Sequence, residues 1–267
     1  MVKKLGIIGC GKMAYALLKG ISQGPSIYAS IYACDTSSVR TELFANEFNS
    51  ITVTPDELVT NADLIILAVK PGQIKMVLAD TSGLWNNEKL LVSIAAGIKT
   101  AMIEEELAEP VPVVRVMPNT PCLIGEGASA LAAGKYASRA DLDIVQAILN
   151  KVGVSVIVDE VYMDAVTAVS GSGPAYVFLV AEAMMDSALH LGLNSDMARQ
   201  LVLQTLKGSI SMLEQTGEHP AILKAQVTSP GGTTIAGLRE LEAGGIREAF
   251  FAAMERACQR SIELGKH

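Results

Sequence analysis

The stretch Gly6–Gly20, GIIGCGKMAYALLKG, decides the reading of this chain. An apolar run over residues 3–8 ends at Gly9. A helical pattern then runs from about Lys12 to Gln23, where Gly24-Pro25 is a helix-terminating pair. Strand, glycine turn and helix are the setting in which G-x-G-x-x-A holds a dinucleotide. Gly9 permits the tight turn, and Gly11 removes a side chain where backbone must approach a pyrophosphate. Ala14 lets helix and strand pack closely. The helix start offers unpaired N–H groups and a positive dipole end to phosphates. Cys10, Lys12 and Met13 complete this cofactor-binding loop. The opening Met1-Val2-Lys3-Lys4 and the apolar residues after it superficially resemble a signal peptide. Gly6, Gly9, Gly11 and Lys12 interrupt that stretch, so a first β-strand is the better reading.

Working outward, residues 30–34 read as a strand with Asp35 at its end, and a helix follows over about 37–48. Asp35 stands where a carboxylate bonds the ribose 2′-hydroxyl, ~20 residues beyond the glycine motif. That favours NADH. Thr36, Ser37, Ser38 and Arg40 form a hydroxyl-rich turn with a cation that could hold a 2′-phosphate, so NADPH stays equally open. Asp35 and Thr36 are cofactor-binding candidates on either reading, and a helix cap is the bland alternative for Asp35. Thr54-Pro55-Asp56-Glu57 carries a capping box, with proline at the first helical position. Residues 64–69, LIILAV, are continuously apolar, as a central parallel strand covered on both faces must be. Further strands are expected at 90–95, 112–117 and 153–158, with a helix starting near Thr100. Strands alternating with helices predict an α/β, Rossmann-type doubly wound parallel sheet. In such sheets ligands lie at the carboxyl ends of strands. Ala68, Val69, Lys70 and Pro71, then Ala95, Ala96 and Gly97, and then Asn119 occupy such ends and are cofactor-binding candidates.

The chain has 267 residues, 50% hydrophobic and 18% charged, a balance that excludes intrinsic disorder. A net charge of −7 advertises no basic face, so nucleic acid is not an expected partner. No apolar run approaches the ~20 residues of a membrane helix, so no membrane association is expected. Cys10, Cys34, Cys122 and Cys258 are far apart and read as reduced thiols, which points to the cytoplasm. The histidines (His190, His219 and His267) are scattered, so no metal site is expected.

After about residue 160 strand signals stop and the chain reads as helical. The expected division is therefore 1–160 for dinucleotide binding and 161–267 for an all-α domain. From Pro174 to Leu189 the only charges are Glu182 and Asp186. A helix apolar nearly all round must be buried nearly all round. So small a domain leaves little room for that, which points to a partner subunit covering it. Further on, Ser229-Pro230-Gly231-Gly232-Thr233-Thr234 places two glycines and two hydroxyls at a helix start, an anion nest able to hold a carboxylate.

Together these segments are specific. GIIGCGKMAYALLKG, ILAVKPGQ, VSIAAGI, VRVMPNTP, AVSGSGPAYVF and VTSPGGTT followed by GLRELEAGGIREAF span essentially the whole chain. In them the chain resembles pyrroline-5-carboxylate reductase, the last enzyme of proline biosynthesis. The resemblance implies an N-terminal Rossmann domain and a C-terminal helical dimerisation domain. It implies a homodimer, in such enzymes often assembled into a decamer, a pentamer of dimers. The implied reaction reduces L-1-pyrroline-5-carboxylate to L-proline with NADPH or NADH. By the same resemblance Thr234 is the hydroxyl that contacts the imine nitrogen. The N–H groups of Gly231, Gly232 and Thr233 clamp the substrate carboxylate, and Glu160 is an acidic position close to the substrate. Asp35, and Asp56 where many relatives have Asn, depart from the pattern of NADPH-preferring members, so measurable NADH use is expected.

Other readings fare worse. A hydroxyacid-type dehydrogenase needs a lysine acid/base on the helices after the boundary, and none occurs between Lys151 and Lys207. A coenzyme-F420-type reductase would share the N-terminal half but not SPGGTT. A non-catalytic dinucleotide sensor need not retain that turn either. Ser170-Gly171-Ser172-Gly173 lacks the G-x-S-x-G register of a serine hydrolase.

Overall fold

The computed structural model of the chain describes residues 4–22 and 28–265. Elements follow in the order β1 (Lys4–Ile8), α1 (Lys12–Ile21), β2 (Ser30–Cys34), α2 (Ser38–Phe48), β3 (Ile51–Thr52), α3 (Pro55–Asn61), β4 (Leu64–Leu67) and α4 (Ile74–Asp80). Next come β5 (Leu90–Ser93), α5 (Thr100–Glu105), β6 (Val113–Met117), β7 (Gly127–Ala133), α6 (Arg139–Leu149), β8 (Gly153–Ile157) and α7 (Met163–Val166). The remaining helices are α8 (Gly173–His190), α9 (Ser195–Thr216), α10 (Pro220–Gln226), α11 (Thr233–Ala243) and α12 (Ile246–Leu264). The expected stop of the first helix at Gln23 and Gly24-Pro25 lies outside the described residues.

The strands form one sheet in the order β3-β2-β1-β4-β5-β6-β7-β8. The chain order reverses between β1 and β4, which creates the crevice where ligands of open α/β sheets lie. β1 and β4 pair in register, Leu5 against Leu64 and Ile8 against Leu67. Alternate residues of these strands enter different cores. Leu5, Ile7, Leu64 and Ile66 join one with Leu17, Leu18 and Phe44. Ile8, Ile65 and Leu67 join the other with Leu58, Ile74 and Leu78. Both faces are thus covered, which is why the run at 64–67 is apolar without alternation. The capping box of α3 is present, with Glu57 N–H donating to Thr54 Oγ1 at 3.3 Å and Thr54 N–H to Glu57 Oε2 at 3.0 Å.

The sheet departs from the all-parallel expectation at one pair. β7 runs antiparallel to β6, while β8 pairs parallel to β7. Only residues 118–126 connect β6 to β7, and a parallel crossover needs about a dozen residues or more. The segment of β7, GASALAA, was not anticipated as a strand, because alanine and glycine carry little β-propensity. Nor was α6, although Ser138 and Asp141 cap it reciprocally. The two-residue strand β3 also went unread.

The chain divides into two compact units, Met1–Ser172 with Arg256–His267, and Gly173–Glu255. The second unit is helical, as expected of the chain beyond residue 160, and Asn194 caps α9 by accepting from Met197 N–H at 2.9 Å. No residue of α8 is buried, and Phe178 and Leu179 expose 66% and 64% of their surface. That apolar surface is what a partner would have to cover.

Phe44 is fully buried and meets the rings of Tyr15 and Phe48 edge-on, at 6.3 and 5.4 Å between centroids. Phe44→Ala is expected to lower the unfolding free energy of the first unit by ~3–5 kcal/mol, read from its urea transition.

Candidate functional site

A cavity of about 760 Å³ opens at the carboxyl ends of β1, β2 and β4, at the point where the strand order reverses. That size suits a cofactor. Its wall includes Gly9, Gly11, Asp35, Thr36, Ala68, Val69 and Lys70, all singled out from the sequence.

The two glycines of the loop do different work. Gly9 has φ +98°, and a Cβ on it would lie 2.8 Å from the backbone carbon and oxygen of Ala68. Its N–H donates to Cys34 O at 2.8 Å, and Ala68 N–H donates to Ile8 O at 2.8 Å. Gly9 therefore serves the chain itself. Gly11 has ordinary extended torsions as the N-cap of α1. A Cβ there would meet nothing within 4 Å. Neither backbone strain nor packing demands a glycine at 11; the open space beside it does, if a ligand's phosphates fill it. No side chain caps α1 and its first turn holds no acidic residue, so its leading N–H groups keep their capacity for an anion. Lys12 and Met13 form that turn. These features fit a dinucleotide.

Asp35 is drawn into the loop. Its Oδ2 accepts from Cys10 N–H at 2.8 Å and its Oδ1 from Ser37 N–H at 2.9 Å. Arg40 Nη1 lies 3.6 Å from Oδ2. The carboxylate thus ties the glycine loop to the start of α2. Cys10 and Cys34 are buried, and burial pushes both thiols up to about 12, with the Asp35 charge adding to it. Protonated thiols of this kind are poor nucleophiles.

Several candidates lie elsewhere than expected. Ala95, Ala96 and Gly97 do not line the cavity. Gly97, at φ +78°, packs against Ser261, Leu264 and Gly265 at the end of α12. Pro71 opens the turn before α4 without reaching the cavity wall. Asn119 is buried, donating to Ser170 O at 3.0 Å and accepting from Ala128 N–H at 2.9 Å. Its amide secures the β6–β7 connection. The wall also includes residues that the sequence did not mark for the site: Val53, Thr54 and Pro55 at the start of α3, and Gln73, Met76, Val77 and Asp80 around α4. Nothing in the sequence marks them: the 56% exposure of Met76, on the helix that follows β4, is visible only in the fold.

Glu160 belongs to a different constellation in the first unit. Thr100 N–H and Oγ1 donate to its two oxygens at 2.8 and 2.9 Å. It thereby caps α5 from a distance, since no nearby side chain does. Buried Arg115 lies 3.4 Å from Glu160 and 3.7 Å from Asp164, whose Oδ1 accepts from Ser261 Oγ at 2.6 Å.

The Ser229–Thr234 turn lies in the second unit. Gly231 has φ +67°. Gly232 N–H donates to Ser229 O at 3.1 Å. The turn opens α11, whose start no side chain caps and whose first turn has no acidic residue. Gly231 and Thr233 are exposed, and Gly232 and Thr234 half-buried. Such a turn presents N–H groups to an anion.

Comparison with known proteins extends these observations. Residues 160–264 match the family model described as pyrroline-5-carboxylate reductase dimerisation. Residues 4–97 match the model described as NADP oxidoreductase, coenzyme F420-dependent. A pyrroline-5-carboxylate reductase of Methanosarcina acetivorans is 44% identical, with 99% of this chain and 98% of that one covered. A solved structure of the Coxiella burnetii enzyme superposes with a TM-score of 0.91 at 34% identity, covering 100% of each chain. A Plasmodium falciparum pyrroline carboxylate reductase with NADP bound gives 0.89 at 34% identity, covering 99% of this chain and 98% of that one.

The contrast between the loop glycines can be measured. Gly9→Ala is expected to destabilise the fold by more than ~2 kcal/mol through its backbone clash. Gly11→Ala should change stability by less than ~1 kcal/mol, yet weaken dinucleotide binding ~10-fold or more. Thermal melts and quenching of protein fluorescence by the dinucleotide read the two effects separately.

Proposed function

The chain belongs to the pyrroline-5-carboxylate reductase family, and from that premise we propose how its residues carry the reaction. It is an oxidoreductase of proline biosynthesis that reduces L-1-pyrroline-5-carboxylate to L-proline, and its cofactor is NADP(H). In the balanced reaction the C=N carbon gains a hydride and the nitrogen a proton, so the imine becomes a secondary amine. The bound cofactor supplies the hydride.

The chain's own part is to hold and to polarise. The uncapped start of α1 and the open face of Gly11 take the pyrophosphate, with Ala68, Val69 and Lys70 along the wall of the same groove. Gly231 and Thr233 offer N–H groups to the substrate carboxylate; the Gly232 N–H, bonded to Ser229 O at 3.1 Å, would have to exchange that partner to join them. Thr234, in the first turn of α11, places a hydroxyl against the ring nitrogen. A hydrogen-bonded or protonated imine is the stronger electrophile, so the hydroxyl acts where the reaction needs it. No strong general base is required, because orientation of two reactants can itself lower a barrier by up to ~7–11 kcal/mol. The observation that carries the assignment of the substrate grip is the Ser229–Thr234 turn. It combines a positive-φ glycine with a helix start that no side chain caps and a first turn without an acidic residue to oppose an anion. Glu160 is proposed as an acidic residue close to the substrate, its carboxylate oriented by the hydrogen bonds from Thr100 N–H and Oγ1.

The division at 160/161 into a dinucleotide-binding and a helical substrate and dimerisation part is proposed as the functional one. It is supported by the family match that begins at 160. The proposed partners are the small-molecule substrate and further copies of the chain, forming a homodimer that can build a decamer. The exposed apolar surface of α8 supports this. Four unpaired cysteines support a cytoplasmic site of action.

Oxidation of NADPH should require added pyrroline-5-carboxylate. Thr234→Ala is expected to lower kcat ~10²-fold or more while leaving cofactor affinity nearly unchanged, and unaltered steady-state kinetics would remove the role. Size-exclusion chromatography with light scattering should give a dimer or a multiple of it, and a clean monomer would refute the assembly.

A further inference from the structure

One residue near the end of the chain holds both ends of the turn between β5 and α5. The last turns of α12, from Arg256 on, cluster with the first unit. At one end of the turn the backbone of Ser261 packs against Gly97. A Cβ on Gly97 would stand 3.0 Å from Ser261 O and 3.2 Å from Gly265 N, and a Cβ on Gly265 would run into Gly97 O. Glycine at both positions is what lets these backbones meet. At the other end the Ser261 side chain acts through a relay. Its Oγ, on a residue only 3% exposed, donates to Asp164 Oδ1 at 2.6 Å. Arg115 lies 3.7 Å from that carboxylate and 3.4 Å from Glu160. Glu160 accepts from the N–H and Oγ1 of Thr100, the first residue of α5. One carboxylate would compensate a buried arginine. The second carboxylate carries the bonds on from α12 to α5.

We infer that Ser261 is a positioning residue for hydride transfer: it fixes the turn at 97–100 and, through it, the nicotinamide end of the cofactor. The cavity occupies the carboxyl ends of β1, β2 and β4, and β5 is the next strand beyond β4. A dinucleotide lies across the point where strand order reverses, with one half on each side. The adenosine half takes the side of β1 and β2, so the nicotinamide half runs past β4 towards β5. The turn after β5 then borders the reacting end. Ser261 touches neither reactant and acts only through Gly97 and Thr100. Hydride transfer needs reacting atoms ~3–3.5 Å apart, and a misplacement of ~1 Å can cost ~10²-fold in rate. Cofactor affinity, by contrast, rests largely on the glycine loop and the start of α1, which Ser261 does not hold. Loosening this turn therefore slows the reaction more than it weakens binding.

The test uses the full chain with Ser261→Ala, which removes the hydroxyl, and Gly265→Ala, which keeps it and strains the contact with Gly97. Each should lower kcat ~10-fold while KM for NADPH stays within about twofold. NADPH deuterated at both C4 positions should give a larger isotope effect on kcat in the variants, because the chemical step becomes more rate-limiting. Ser261→Thr restores a hydroxyl and should recover most of the loss. The emission of bound NADPH, which arises from the reduced nicotinamide, should change in both alanine variants. Adenosine 2′,5′-bisphosphate lacks that end, and its affinity by titration calorimetry should stay within about twofold. An unaltered kcat in Ser261→Ala would overturn the inference. So would a loss of kcat matched by an equal loss of bisphosphate affinity, the mark of a merely structural role. The inference rests on reading the chain as a dinucleotide-dependent reductase. The emission and the bisphosphate titration involve no imine, so the two readings fail separately. Pyrroline reduction unaffected by the variants removes only the role of Ser261, and altered emission without pyrroline reduction removes only the substrate.

Discussion

The backbone of Gly9 approaches that of Ala68 so closely that no side chain fits between them. Much of the first unit's cavity follows from that contact. It lets β1, paired along its length with β2 on one side and β4 on the other, keep both neighbours to its end, with Gly9 N–H on Cys34 O and Ala68 N–H on Ile8 O. The ends of three strands are thereby gathered at one point, and α1 starts directly above them. Asp35 then fixes the loop by accepting the Cys10 N–H. A glycine of ordinary conformation at 11 leaves the space in which phosphates can lie against the helix start. The anion site is thus made of backbone, and side chains only hold that backbone still.

Buried charge follows a second logic in the same unit. Arg115, 2% exposed, is a cost to the fold unless paired. Glu160 and Asp164 both reach it, and each carboxylate has further donors in Thr100 and Ser261. Through these bonds β6, α5, the turn before α7 and the end of α12 are held together. Glu160 is consequently an acid with a structural occupation, which is why an acidic residue of this kind need not act as a proton donor. Asn119 presents the same lesson: an amide at a strand end looks available in sequence, and in the fold both its ends are spent on backbone.

The second unit inverts the usual relation between hydropathy and burial. Its most apolar helix, α8, has no buried residue within the chain, whereas the first unit buries nearly every apolar strand residue of β1, β4 and β5. A helix with that composition is stable only when another surface covers it, and the family match over 160–264 is to a dimerisation domain.

Local sequence determined what depends on neighbours along the chain. The strand–glycine–helix unit at 4–21, the capping box at Thr54, the cap at Asn194 and the glycine turn at Ser229–Thr234 all follow from short-range steric and hydrogen-bonding rules. The apolar run at 64–67 likewise announced a strand covered on both faces. Tertiary structure alone decided whatever depends on which distant groups meet. GASALAA became a strand because β6 and β8 flank it, not through propensity, and its direction was set by the short connection before it. Whether Asp35 faced a ribose or a loop N–H, and whether Glu160 and Asn119 were open or occupied, could not be read from spacing. Those outcomes rest on single hydrogen bonds between residues 9 to 60 positions apart. A sequence pattern supplies the residue types for such bonds, and only the folded chain selects the partners.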